Sequence, residues 1–193
     1  MDTPSAFTLV LTLHVLCGAF LLGHSLLGPR LQGSLWDART TGDLRARLGV
    51  LATAARINPP VAMVLLGTGV YLGSTGTWSS GWFVAAVLLW VVNSVLAARV
   101  IGRAAGRLAV AAAKLPAAEP VTEELDVLRR DRGWALAGRA LAASDVATLY
   151  LMLARPSLAG ALGAIVVALA LFAALHALAT VVRGRPLGSS QPA

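Results

Sequence analysis

The sequence predicts an all-α fold: a polytopic membrane bundle of five transmembrane helices, N-terminus outside and C-terminus cytoplasmic. Three observations lead there. Apolar runs of spanning length recur along the chain, basic residues alternate loop by loop, and aromatic rings gather at one boundary. The 193 residues are 57% hydrophobic and only 13% charged, far from the balance of ordinary soluble domains. Mean hydropathy is +0.74.

A hydrocarbon core of about 30 Å takes about 20 apolar helical residues to cross. The first span is Phe7 to Leu27. Asp2 stands where a secretory signal carries its basic residues, and the apolar run is too long for one, so it reads as a retained span. Its single cysteine, Cys17, leaves no internal disulfide and no Cys-rich metal framework.

The second span ends near Gly73, yet only about thirteen apolar residues follow Pro59 and Pro60, too few to cross at about 1.5 Å each. Its helix therefore starts before the prolines, near Val50, with Arg56 reaching one membrane face along its stem. Neither proline can donate to the carbonyls of Ala55 and Arg56, so a kink is expected there. Trp82 to Ile101, Trp134 to Ala154 and Leu158 to Val182 complete the five. Residues 1–156 read as a four-helix membrane domain, 157–183 as an added fifth helix and 184–193 as a disordered tail.

Between spans one and two lie Arg30, Arg39, Arg45 and Arg47. Between three and four lie Arg99, Arg103, Arg107, Lys114, Arg129, Arg130 and Arg132, and Arg183 and Arg185 follow span five. The opposite side has only Arg155. That alternation follows the positive-inside rule, and Tyr71, Trp78, Trp82 and Tyr150 mark the outer interface. The net charge of +7 is thus topogenic, which argues against a nucleic-acid partner. The partners expected are the lipid bilayer and a membrane protein or a second copy of this chain.

The longest polar segment, Ala104 to Gly133, holds two prolines, Pro116 and Pro120, that end the extension of span three. A short solvated helix follows, with Asp126 and Arg130 paired at i,i+4. Small residues four apart, Gly69 and Gly73 among them, permit close helix approach.

Counting depth at about 1.5 Å per residue sorts the intramembrane polar residues into two levels. His14, Asn93 and Asp145 fall roughly 10 to 17 Å from the outer face, and His24, Asn58 and His176 roughly 6 to 9 Å from the inner one. Asp145 stands out, since a carboxylate at that depth is disfavoured by about 3 kcal/mol. It is expected to face the bundle interior, either protonated or hydrogen-bonded to His14 or Asn93. Three readings stay open for this level: an interhelical polar pair, a haem or metal ligand oriented by a carboxylate, or a proton relay. His24 and His176 share a depth that permits a bis-imidazole site. His14 and His24 cannot share a metal, because ten helical residues separate them by about 15 Å. No HExxH, Cys/His zinc spacing, P-loop or Gly-x-Ser-x-Gly elbow is present.

"LHVLCGAFLLG" at Leu13 to Gly23, "LGTG" at Leu66 to Gly69 and above all "LYLMLARP" at Leu149 to Pro156 resemble a bacterial family of predicted integral membrane proteins, domain of unknown function 2269. The resemblance spans about the first 156 residues and implies a bacterial inner-membrane location. The early His in helix one also looks distantly like copper-resistance D proteins and haem-dependent membrane protoporphyrinogen oxidases. Through that likeness His14 becomes the candidate contact for haem b or copper, with Asp145 and Asn93 behind it. The reading that needs least is a non-enzymatic membrane protein with a structural, assembly or partner-binding role.

Overall fold

In a computed structural model of the chain, described for residues 5–75 and 78–184 without the side chains of 175, 176 and 178–184, the protein is an all-α bundle. Four helical segments are long and apolar enough to cross a membrane, and a fifth contributes the apolar stretch Leu158–Ala174. Of the tail expected at 184–193, Gly184 ends the last helix, and 185–193 lie outside the described residues.

Helix α1 is Ala6–Ser34, started by Ser5, whose hydroxyl accepts from the Thr8 amide at 3.2 Å. A 3-10 turn, Leu35–Asp37, leads to α2, Thr41–Gly73. The hydroxyl of Thr40 caps α2 by accepting from the Asp43 amide, and Asp43 pairs with Arg47 one turn on at 2.8 Å. As the span length requires, α2 runs through Pro59 and Pro60, but it begins nine residues before Val50. The extra turns stay helical because they are packed, with Leu44 and Leu48 buried.

Helix α3, Gly81–Leu96, passes through a π-turn at Ala97–Ile101 into α4, Gly102–Ala113. The short helix α5 is Glu123–Arg129, with Thr122 at its cap and three acids in its first turn, where the helix dipole favours them. Asp131 caps α6, Arg132–Ala154, by accepting from the Trp134 amide at 2.8 Å. Helix α6 stops at Arg155, which adopts a left-handed φ of 46° before Pro156, and α7 is Leu158–Gly184.

Helices α1 and α2 pack against each other, and α6 sits centrally against α1, α3 and α7. At the end carrying Tyr71, Trp78, Trp82 and Tyr150, which we call the aromatic end, close approaches are made by glycines. A Cβ on Gly73 would lie 2.6 Å from the Phe83 ring, and one on Gly81 would lie 2.7 Å from Leu158 Cβ and 3.0 Å from its backbone. Arg155 stacks over Trp82 at 5.8 Å.

The opposite, basic end holds the best-packed core in the chain. Leu35, Leu44, Leu108, Leu125 and Trp134 meet there, and four of them are fully buried. The segment after α4 is pinned by backbone bonds from Thr41 N to Glu119 O at 2.9 Å, Gly42 N to Ala117 O at 2.8 Å and Val121 N to Arg39 O at 3.1 Å. Arg45 donates to the Ala112 carbonyl and to that of Leu115, satisfying carbonyls that the end of α4 leaves open. The Asp126–Arg130 pair forms at 2.9 Å as expected. The surrounding segment, however, is not simply a solvated helix. Arg129 is buried, donates to the carbonyls of Leu35 and Ala38 at 2.8 Å each, and pairs with Asp126. Trp36 returns a bond to the Arg129 carbonyl at 3.0 Å. A polar, proline-broken stretch thus becomes a folded cap, because its few apolar residues land on faces that α1, α2 and α4 leave open.

Candidate intramembrane polar site

His14 lies on the face of α1 that meets α2. Its Nδ1 is 3.0 Å from Thr68 Oγ1, and the Thr68 hydroxyl lies 2.8 Å from the Val64 carbonyl and 3.0 Å from that of Leu65. With the Thr68 proton directed at its own helix, Nδ1–H donates to Oγ1 and Nε2 keeps its lone pair. Gly69 makes room for the ring: a Cβ there would come within 3.2 Å of His14 Cε1. This is one place where the small-residue pattern has a visible contact, because an imidazole occupies the space.

Asp145 belongs to a different group. Asn93 Nδ2 on α3 donates to its Oδ1 at 2.7 Å. Ser25 on α1, itself buried, stands beside the same carboxylate, and its hydroxyl donates to the Leu22 carbonyl at 3.0 Å. Three helices therefore converge on one carboxylate, and the expected Asn93 partnership is present while a His14 partnership is not. The reason is register. Ser25 is eleven residues beyond His14, or about 16 Å along α1.

The same register reorganises the two levels. Gly18 faces Leu65 and His14 faces Thr68 and Gly69. Seven residues further along these antiparallel helices, Ser25 comes level with Asn58. Asn93 and Asp145 thus stand at the level of His24 and Asn58, and His14 stands alone toward the aromatic end. Depth counted from the span ends differs from this because α1 extends seven residues past Leu27 and the α3 helix runs on through the π-turn into α4. Seven residues beyond Ser25, Gln32 is also buried and faces Gly138, which lies seven residues before Asp145. The α1–α6 seam is therefore polar over two turns.

Several polar atoms around this seam are buried without a hydrogen bond among the described residues: Asn58 Oδ1, Asn93 Oδ1, Ser144 Oγ and Gln32 Nε2. Atoms of this kind are the exception in folded proteins. His24 is half-buried and forms no hydrogen bond among the described residues. The side chain of His176 lies outside them, so the bis-imidazole pair has no geometry to report. No group of three or more His, Cys, Asp or Glu that could hold a metal occurs among the described residues.

Ser25 and Thr68 carry half of these contacts and are absent from the sequence expectations. Hydroxyl residues sit in membrane helices at little cost by bonding their own backbone. A search for costly residues passes over them. The signal available was adjacency: Ser25 follows His24, and Thr68 is the polar position of "LGTG".

Comparisons of the chain with family models, with curated proteins and with solved structures return no match.

Proposed function

We propose that the chain is a five-span integral membrane protein of the bacterial inner membrane, N-terminus outside and C-terminus cytoplasmic. Its role is non-enzymatic: to hold or assemble membrane partners, another membrane protein or a second copy of itself. The observation that carries this reading is where the intramembrane polar side chains direct their hydrogen bonds. His14 bonds Thr68 and joins α1 to α2, while Asn93 bonds Asp145 and joins α3 to α6. Interhelical polar contacts of this kind fix helix pairing in lipid, where apolar packing discriminates little. The alternation of arginines and the aromatic end support the orientation. Reporter domains inserted at Pro116 and in the 74–80 loop test it, and equal cytoplasmic activity at both sites overturns it.

One observation favours a second reading, a haem b or copper contact. The Thr68 bond fixes the His14 ring by Nδ1 and leaves Nε2 as the ligating nitrogen, the usual way a second partner orients a ligand histidine. Thr68 would then take the orienting role expected of Asp145. The optical spectrum and metal content of the purified protein separate the two readings. A holding role predicts no Soret band after haem supplementation and no bound copper. A Soret band that disappears in His14→Ala reverses the conclusion.

A further inference from the structure

The strongest unassigned feature is a row of cations on the outer face of α4. Arg99, Arg103 and Arg107 stand at four-residue intervals, Lys114 continues the row, and all four are exposed. They line one side of an open groove whose far wall is α5 and the turn into α6, with Leu128 and Asp131 at its edge. The π-turn at Ala97–Ile101 contains Arg99 and sets which face α4 turns toward that wall, since a wider turn shifts the angular position of every later residue.

Glu124 and Asp131 line the same groove, yet only one of these cations has a carboxylate within ion-pair distance among the described residues. Arg107 reaches Asp131 at 3.8 Å, and no carboxylate comes within ion-pair distance of Arg99, Arg103 or Lys114 among the described residues. Like charges one helical turn apart repel, and the Asp131 contact offsets only Arg107, so Arg99 and Arg103 keep their mutual repulsion. A bound anion would relieve it.

The depth of the row selects the anion. From Gly81 to Ile101 the helix rises about 31 Å, close to the hydrocarbon thickness of a bilayer. Arg99 and Arg103 therefore stand at the boundary where phospholipid phosphates lie, and Arg107 stands one turn above it. Val100 and Val110, both exposed, line the same groove. A valine at that boundary suits an acyl chain, whereas a soluble anion has no use for it. No aromatic side chain lines the groove, as stacking with nucleic-acid bases would require.

We infer that this groove is a binding site for an anionic phospholipid, its phosphate held by Arg99, Arg103 and Arg107 and its acyl chain against Val100. The inference rests on α3 crossing the bilayer, which the reporter insertions test independently. The full-length protein is reconstituted in nanodiscs of mixed phosphatidylglycerol and phosphatidylcholine, and the lipid retained on gentle extraction is measured by native mass spectrometry. Wild type is expected to enrich phosphatidylglycerol, with enrichment falling about five-fold for each arginine replaced. The triple variant Arg99→Gln, Arg103→Gln, Arg107→Gln should lose it, while Arg30→Gln, Arg39→Gln, Arg132→Gln, with the same change in net charge, should keep it. Equal loss in both triples, or no loss in either, overturns the site. Release of the lipid by millimolar inorganic phosphate overturns the lipid in favour of a soluble anion. If the triple variant does not fold, Arg99→Gln and Arg103→Gln singly carry the same test, because neither side chain has an acidic partner to lose.

Discussion

Asn93 and Asp145 offer the most direct measurement of what the buried polar seam does. Truncating Asn93 to Ala removes the 2.7 Å bond and leaves the carboxylate beside the Ser25 hydroxyl. Hydrogen bonds between membrane helices average about 0.6 kcal/mol and reach about 1.7, and this short bond to a carboxylate belongs in the upper part of that range. Asn93→Ala should therefore cost about 1 to 1.5 kcal/mol. Truncating Asp145 strands the Asn93 amide, whose Oδ1 already has no partner among the described residues, so about 2 kcal/mol is expected. Once either side chain is gone the other truncation loses less, which gives the double mutant a coupling of about 1 kcal/mol. Asp145→Asn keeps an acceptor oxygen and should retain most of the stability. Reversible unfolding by dodecyl sulfate in mixed micelles, followed by the fluorescence of the five tryptophans, reads all four variants. A coupling below about 0.4 kcal/mol, the ordinary scatter of additivity, would refute the idea that this pair joins α3 to α6.

Arg129→Ala should cost about 3 kcal/mol in the cap, since it removes charged hydrogen bonds to Leu35, Ala38 and Asp126 and leaves the Leu35 and Ala38 carbonyls buried without them. Limited trypsin digestion should then cut within 114–131, and intact resistance would contradict the packing described. Gly81→Ala should cost about 2 kcal/mol or displace α7, because the new methyl meets the Leu158 backbone, which cannot rotate away as a side chain can; unchanged stability would mean α3 and α7 do not meet there. Acidification should loosen the same cap. The Arg130 and Arg129 hydrogen bonds hold Asp126 below the ordinary carboxylate value, and the Arg47 bond does the same for Asp43. Both groups are thus more acidic when folded, so their contribution is complete above about pH 4 and is lost as pH falls below it. Both are partly solvated, so the loss should appear as lower amide protection factors, each taken against the unstructured exchange rate at the same pH, in 34–45 and 114–131 and not as global unfolding. Equal protection factors at neutral pH and about pH 3 would count against it.

The sequence by itself determined the helical class, the approximate place of each long apolar helix and the start of α2 before Pro59. These follow from a requirement that acts locally: backbone in hydrocarbon must satisfy its own hydrogen bonds, so a helix is the only option wherever about 20 apolar residues run together. It also singled out Asp145 as a residue in need of a partner and offered His14 or Asn93, and only the tertiary structure chose Asn93. Which residues share a level was decided only by the tertiary structure. Level depends on how far each helix continues past the membrane, and α1 and α3 run on because Leu35, Leu44, Leu108, Leu125 and Trp134 bury one another in a cap beyond the lipid. That cap is assembled from segments up to a hundred residues apart, none of them apolar enough to announce itself. Its packing fixed the register of the helices beneath it, and so placed Asp145 against Ser25 and His14 against Thr68.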